Sequence, residues 1–187
     1  MRHLTALPPA SAVAALILGV SLIASGTTAF AMDAEKMVGR IQRHEDWQSF
    51  SMVNPLYGFL MMTRATTTDK RTRATLAFSY LLSKQCSLMD PELILESSDS
   101  KAVIDSTKEY GVIQFDNQPP KTVAATMMKE SNSNSIYFEM DDRSLEHGVV
   151  SSRSVIVNYR GYGVITFSLT GASAAIKRAK AECEGFM

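Results

Sequence analysis

The sequence predicts a mainly β protein, an antiparallel sandwich or partly closed barrel with a short N-terminal helix and a C-terminal helix. Short stretches that alternate between apolar and polar residues follow one another along the chain, with turn signals between them. Few helical patterns separate these stretches, which favours antiparallel pairing. The final strand, Gly163 to Leu169, passes directly into a helix, Ala172 to Cys183, where the apolar spacing changes from two residues to three or four.

Residues 1–31 have the pattern of a secretory signal peptide. Arg2 gives a positive start, and the apolar run Ala12 to Ala24 is too short to span a bilayer comfortably. Ala29-Phe30-Ala31 then matches the small-x-small cleavage pattern. Cleavage there leaves residues 32–187, one exported domain that we expect to be soluble and periplasmic or secreted. The alternative is an N-terminal anchor that is not cleaved.

The charge balance argues against a nucleic-acid partner. The chain has 19 basic and 19 acidic residues, and nothing in it resembles the basic patch of a nucleic-acid-binding protein. No internal repeat or second domain is evident. We therefore expect no nucleic-acid partner and a single domain.

The exported chain begins with a predicted helix and a predicted strand. Asp33 to Arg43 carries its apolar residues at helical spacing, with Asp33 available as a cap, and predicts a short helix. From Trp47 to Met52, Trp47, Ser49 and Ser51 alternate with Gln48, Phe50 and Met52, a pattern that predicts the first strand. Asn54-Pro55 ends this strand.

A β-hairpin follows. Its first arm is Gly58 to Thr66, its polar turn is Thr67 to Arg71, and its second arm is Ala74 to Leu82. The basic residues Lys70, Arg71 and Arg73 are interpreted as a solvated turn, and a site for an acidic partner is the alternative. Cys86 comes just beyond the second arm.

The remaining strands are shorter and separated by turn residues. Glu92 to Glu96 is ambiguous, because Asp90-Pro91 is typical of a helix start, but its short apolar run favours a strand. Asp141 to Gly148 reads as a turn. Four further strands are predicted: Gly111 to Asp116, Thr122 to Met128, Ser135 to Met140 and Ser154 to Tyr159.

The two cysteines predict one disulfide. In an exported protein, Cys86 and Cys183 most simply pair with each other. A reactive thiol is the alternative, but neither cysteine belongs to a Cys-x-x-Cys motif.

A few positions resemble known bacterial envelope proteins. These are Trp47 near the start of the exported chain, Cys86 after a hairpin, and a final pattern of Phe167, Leu169 and Gly171 before a helix that ends at Cys183. The arrangement is similar to the small periplasmic accessory proteins of type VI secretion and, more loosely, to the invasion-associated locus B proteins of host-associated bacteria. The resemblance implies a non-enzymatic, disulfide-closed periplasmic module.

The sequence contains no catalytic motif that we recognise, so no catalytic residue is predicted. Gly-x-Ser-x-Gly, His-Glu-x-x-His and the phosphate-binding Gly-x-x-x-x-Gly-Lys pattern are all missing. A nucleophile–base pair would need His44 or His147, the two histidines of the exported chain, beside an activated hydroxyl.

No metal or cofactor is predicted either. Asp141, Asp142, Glu146 and His147 form an oxygen-rich cluster, but their spacing fits no calcium loop. The methionine doublets Met61-Met62 and Met127-Met128 raise the question of Cu(I). Neighbouring strand residues point to opposite faces, however, so the doublets are interpreted as core filling.

The predicted partner-binding site is the turn Asn158 to Gly163. Its residues Tyr159, Arg160 and Tyr162 are of types that often dominate binding energy. The plain alternative is that Tyr159 packs in the core while Arg160 is solvated.

These observations favour a non-catalytic exported module that binds an envelope or host protein, as an accessory factor of secretion or host interaction. A periplasmic inhibitor or immunity protein against a cell-wall hydrolase is a close alternative. A hydrolase and a metal-handling protein are weaker alternatives, because each needs a site for which the sequence contains no recognisable motif.

Overall fold

The computed structural model describes residues 37–54, 56–97, 104–116, 118–129 and 134–187. The predicted signal peptide lies outside this part of the chain. Eleven strands and two helices are described: β1 (Val38–His44), β2 (Trp47–Val53), β3 (Leu60–Thr68), β4 (Thr75–Leu81), β5 (Ser87–Leu88), β6 (Glu92–Glu96), β7 (Ile104–Phe115), β8 (Lys121–Lys129), β9 (Ser135–Met140), α1 (Leu145–Ser151), β10 (Ser154–Tyr159), β11 (Gly163–Ser168) and α2 (Ala172–Glu184). A 3₁₀ turn, Leu82–Lys84, follows β4.

All the strands belong to one antiparallel sheet. Ten of them are paired in the order β1-β2-β3-β4-β6-β9-β8-β7-β10-β11, and β5 pairs with β4. The predicted hairpin is confirmed as β3 and β4, with Ala65 opposite Phe78. The ambiguous segment Glu92–Glu96 is a strand and pairs with both β4 and β9.

The sheet curls without closing into a barrel. Its last strand, β11, meets the β2–β3 region through side chains rather than through a paired strand. The indole Nε1 of Trp47 donates a hydrogen bond to the carbonyl oxygen of Ser168 at 3.0 Å. Arg71 Nη2, in the β3–β4 turn, donates to the carbonyl oxygen of Val164 at 3.2 Å. Two polar side chains thus donate hydrogen bonds to carbonyl groups of the last strand.

The apolar core lies inside this curl. Aromatic side chains from both ends of the sheet meet there: Trp47 packs beside Phe78 with ring centroids 6.1 Å apart, and Phe138 packs on Tyr159 at 4.8 Å. Both helices pack against this core with their apolar residues. These are Leu145 and Val149 of α1 and the buried residues between Ala172 and Cys183 of α2. The core accordingly needs residues from early and late parts of the chain.

The predicted C-terminal helix is confirmed as α2, but its start differs in detail from an ordinary cap. Gly171 adopts a left-handed conformation with φ of 89°, and no side chain caps the helix. A Cβ at this position would lie 1.9 Å from the carbonyl oxygen of His44. Only glycine fits, because both the backbone angle and the contact exclude a side chain.

The far end of α2 is joined to the hairpin. The Sγ atoms of Cys86 and Cys183 lie 2.12 Å apart and their Cα atoms 5.7 Å apart, which fits the predicted disulfide. Between its two ends α2 lies on small polar side chains: the Thr63 hydroxyl donates to the Ala179 carbonyl at 2.6 Å, and Ser51 contacts Glu182. The helix is thus held by its ends and by hydrogen bonds as well as by a narrow apolar face.

The structure corrects two predictions. The predicted N-terminal helix over Asp33–Arg43 is wrong for Val38–Arg43, which belongs to β1 and pairs with β2; residues 33–36 lie outside the described part. Arg40 has φ of 54°, and the pairing register shifts between Gly39 and Gln42. This bulge adds a residue to the strand and breaks the alternation that would have revealed it.

The second correction concerns the segment read as a turn, Asp141 to Gly148. Leu145–Ser151 forms the helix α1, with Leu145 and Val149 buried. Gly148 sits where an added Cβ would lie 2.5 Å from the Phe115 ring, so the glycine that suggested a turn allows close packing instead.

A buried charge lies on the reverse side of the same sheet. The Arg64 side chain of β3 forms an ion pair with Glu92 of β6, and its Nε donates to the Ser79 hydroxyl at 2.8 Å. Burial lowers the pKa of Arg64 to about 10. The paired carboxylate keeps this charge from being isolated in the protein interior.

Candidate partner-binding surface

The predicted partner-binding turn is present between β10 and β11, but Tyr159 does not belong to its surface. Tyr159 is 2% exposed and packs on Phe138 inside the core. A Cβ on Gly111 would lie 2.6 Å from the Tyr159 ring, so Gly111 provides the space in which the ring lies. Burial raises the pKa of the Tyr159 hydroxyl, with a further contribution from the negative charge of Asp141. Tyr159 is a core residue, as the plain alternative held.

The other two predicted residues differ from each other. Arg160 is exposed at the tip of the turn. Tyr162 is half-buried: its ring meets Phe138 edge-on at a centroid distance of 5.1 Å, and its hydroxyl donates to Met127 Sδ at 3.3 Å. Arg160 is therefore available to a partner, whereas Tyr162 holds the turn against the core.

A larger apolar surface lies beside this turn. Val112 of β7 pairs with Asn158 of β10, and Asn158 pairs with Val164 of β11, so their outward side chains form a row across three strands. We call the outward side chains Tyr110, Val112, Ile156, Asn158 and Val164, together with Arg160 at their end, the three-strand face. Its large apolar members are unusually exposed: Tyr110 66%, Val112 41%, Ile156 36% and Val164 51%.

The register connects Arg160 with this face. Tyr159 pairs with Gly111, so Arg160, one residue later, occupies the position beside Tyr110, one residue earlier on the antiparallel strand. Continued by one residue, this register places Arg160 on the same side of the sheet as Tyr110, opposite to the side on which Tyr159 is buried. Arg71 reaches the Val164 carbonyl from the other side. The three-strand face therefore has apolar side chains around the central Asn158, with an arginine at each of two borders.

Sequence reasoning missed Tyr110, Val112 and Val164. The only local signal was the alternation within Gly111 to Asp116, which makes Val112 outward but says nothing of its neighbours. The row becomes visible only through the pairing of β7 with β10, which are separated by β8, β9 and α1 along the chain. A face built from distant strands cannot be read from one stretch of sequence.

His44 does lie beside a hydroxyl. Its Nε2 is 2.9 Å from Ser49 Oγ, and Arg178 Nη1 donates to the same Oγ at 3.3 Å. Partial burial, together with the positive charge of Arg178, lowers the pKa of His44. Because Arg178 supplies one hydrogen bond, the Ser49 hydroxyl can donate its own hydrogen to neutral His44. Ser49 is fully buried beneath α2, so this geometry gives its oxygen no route to a substrate.

The oxygen-rich cluster is divided among separate partners. Asp141 pairs with Lys108, Asp142 pairs with Lys121, and Glu146 Oε1 accepts a hydrogen bond from the Tyr80 hydroxyl at 2.5 Å. Within the described residues, no group of three or more histidine, cysteine, aspartate or glutamate side chains could hold a metal ion. Of the two methionine doublets, Met127 is buried in the core as predicted, whereas Met61, Met62 and Met128 are half-buried and lie outside the core cluster.

Comparisons with known proteins agree with part of the predicted resemblance. No family model matches the chain, and no curated protein matches it in sequence. Among solved structures, the chain is similar to invasion associated protein B from Bartonella henselae, with a TM-score of 0.50 and 12% identity, over 79% of this chain and 99% of that one. At that identity the likeness concerns the fold alone. Within the described residues, no helix is long and apolar enough to cross a membrane.

Proposed function

We propose that this protein is a non-catalytic exported module that binds an envelope or host protein, with an accessory role in secretion or host interaction. The observation that carries the proposal is the three-strand face. Isolated exposed apolar residues are common on proteins, but four of them grouped on three neighbouring strands are typical of an interaction site. The fold likeness to an invasion associated protein supports a role at the host interface.

The chemistry of the three-strand face defines the partner that it fits. Tyr110 and Arg160 belong to the residue types that are enriched among those that dominate binding energy. Val112, Ile156 and Val164 provide apolar contact area around Asn158, and the arginines at the borders favour acidic groups on the partner. We therefore expect a partner with an apolar patch that has carboxylates near its edge.

The test is capture of the partner by purified protein carrying a photo-crosslinking amino acid at position 112, followed by identification of the crosslinked protein and direct binding of that protein once purified. Tyr110→Ser with Val164→Ser should abolish direct binding while the variant stays folded. The matched control is Leu56→Ser with Phe59→Ser, which removes two exposed apolar side chains elsewhere and should bind normally. Equal binding by both variants would place the partner site on another surface.

The same assay separates the accessory role from the inhibitor alternative. An inhibitor of a cell-wall hydrolase should capture that enzyme and abolish its activity at stoichiometric concentration. A captured secretion or host component would favour the accessory role. If His44→Ala with His147→Ala abolished function in a folded protein, the hydrolase alternative would replace both.

A further inference from the structure

A second exposed apolar cluster lies in the connection between β2 and β3. Leu56, Tyr57 and Phe59 are 76%, 75% and 55% exposed, and the rings of Tyr57 and Phe59 stack with centroids 6.1 Å apart. Beside them is an open cleft of about 310 Å³, lined by apolar side chains and one serine: Phe59, Leu60, Met61, Leu81, Leu82 and Ser83. We call Leu56, Tyr57 and Phe59 the apolar tip.

Asn54 fixes the backbone of the apolar tip. Its side-chain oxygen accepts hydrogen bonds from the backbone N–H groups of Leu56 at 2.9 Å and Tyr57 at 3.2 Å. The backbone carbonyl oxygen of Asn54 accepts a hydrogen bond from the N–H of Gly58 at 2.7 Å, and the backbone N–H of Asn54 donates to the carbonyl oxygen of Phe59 at 2.8 Å. These backbone donors are satisfied internally, so moving the tip out of water leaves none of them unpaired.

The surrounding sequence is uncharged. From Val53 to Met62 no residue carries a charge, so this stretch has no ion to desolvate in an apolar environment. Protein interfaces ordinarily have a polar rim around their apolar centre, and this stretch supplies no charged one. The nearby Lys84, exposed at the end of the 3₁₀ turn, provides a single cation for a phosphate group.

We propose that the apolar tip inserts into the interfacial region of a lipid bilayer, so that the protein binds the membrane peripherally while the three-strand face holds its protein partner. The tip lies at one end of β3, and the β3–β4 turn, whose Arg71 contacts Val164 next to the partner face, lies at the other end. Tyrosine suits this role because its ring is apolar and its hydroxyl can stay in the headgroup layer.

Vesicles of phosphatidylethanolamine and phosphatidylglycerol provide the test, with binding measured by flotation. Wild-type protein should float with the vesicles. The variant Leu56→Ser, Tyr57→Ser and Phe59→Ser should bind at least about a hundredfold more weakly, since burying one large apolar side chain changes an affinity by about tenfold or more. Wild-type protein and the triple variant are purified in the same form, so residues 1–36, where present, contribute equally to the vesicle binding of both.

A fluorescence measurement locates the contact. Tyr57→Trp should give an additional emission that is quenched by brominated lipid, whereas Tyr110→Trp, on the three-strand face, should not be quenched. The control variant Tyr110→Ser with Val164→Ser should float as wild type does, which separates this proposal from the proposed function.

Three results would overturn membrane binding by the apolar tip. They are a wild-type protein that does not float, a triple variant that floats equally well, and a triple variant that loses capture of the protein partner in the absence of lipid. The last result would identify the apolar tip as a protein contact instead.

Discussion

The indole nitrogen of Trp47 donates a hydrogen bond to the carbonyl oxygen of Ser168, 121 residues further along the chain. Trp47 begins β2 and Ser168 ends β11, so one side chain joins the second strand to the last one. This contact explains how the sheet keeps its curl although β1 and β11 do not pair in the described structure.

Trp47→Phe should destabilise the protein measurably. The substitution keeps an aromatic ring but leaves the buried-side carbonyl of Ser168 without its donor, which costs about 1–3 kcal/mol, with a further cost for the lost volume. Urea denaturation measures the change. Tyr110→Phe is the control and should stay within about 0.5 kcal/mol, because Tyr110 is exposed; equal losses in both variants would contradict the role assigned to the hydrogen bond.

The disulfide should contribute strongly to stability. Mass analysis of unreduced protein after alkylation should find no free thiol. Cys86→Ala with Cys183→Ala should lower the free energy of unfolding by up to about 4–5 kcal/mol, as expected for closing a loop of this length. A double variant with wild-type stability would show that hydrogen bonds and packing alone hold α2.

Gly171→Ala should destabilise far more than Gly161→Ala. Both glycines have positive φ, 89° and 88°, but only at Gly171 would a Cβ meet a neighbouring atom, the His44 carbonyl oxygen. A side chain at such a backbone angle costs roughly 1–2 kcal/mol, and Gly161→Ala measures this cost alone because no atom lies near its Cβ. Gly171→Ala should cost about 3 kcal/mol or more. Similar losses at the two positions would contradict the close approach of β1 to α2.

His44 should make stability fall in mild acid. Its folded-state pKa is lowered from 6.5 by partial burial and by Arg178, so the unfolded chain takes up a proton at higher pH than the folded protein does. The contribution of His44 is therefore complete above about pH 6.5 and is lost as the pH falls below it. Urea titrations at several pH values should show a shallower fall for His44→Gln. A fall as steep in His44→Gln as in wild type would contradict this role of His44.

Arg160→Ala should weaken capture of the protein partner and leave the free energy of unfolding within about 0.5 kcal/mol of wild type. Arg43→Ala, which removes an exposed arginine from β1, is the control and should capture normally. Tyr162→Ala should behave differently and destabilise by about 1–2 kcal/mol, because Tyr162 contacts Phe138 and Met127. Full capture by Arg160→Ala would remove this residue from the proposed site.

Local alternation sufficed to predict most strands. Glu92–Glu96, Ser135–Met140 and Ser154–Tyr159 have the predicted bounds, because each is a short run between clear turn residues. The period change after Leu169 likewise predicted α2. The prediction failed where an element is irregular. The extra residue at the Arg40 bulge breaks the alternation of β1, so its sequence resembles that of a helix. Gly148 lies inside α1, where a glycine is usually a sign of a turn.

The candidate site was less accessible to prediction than the fold. The turn at Arg160 was found because its residue types are informative by themselves. Tyr159 was assigned to the surface because composition does not say on which side of a strand a tyrosine lies; the glycine opposite it, Gly111, places it inside. Tyr110 has no distinguishing neighbours in sequence, and only the register of β7 against β10 sets it beside Arg160.

If the chain is exported, as we propose, the distance in sequence between Trp47 and Ser168 also determines when their contact can form. A chain that crosses a membrane from its N-terminus delivers Trp47 long before β11, and Cys86 long before Cys183. Contacts between such distant residues form slowly, because a long loop must close first. In such a chain the early hairpin would keep its apolar side uncovered until β11 and α2 arrive.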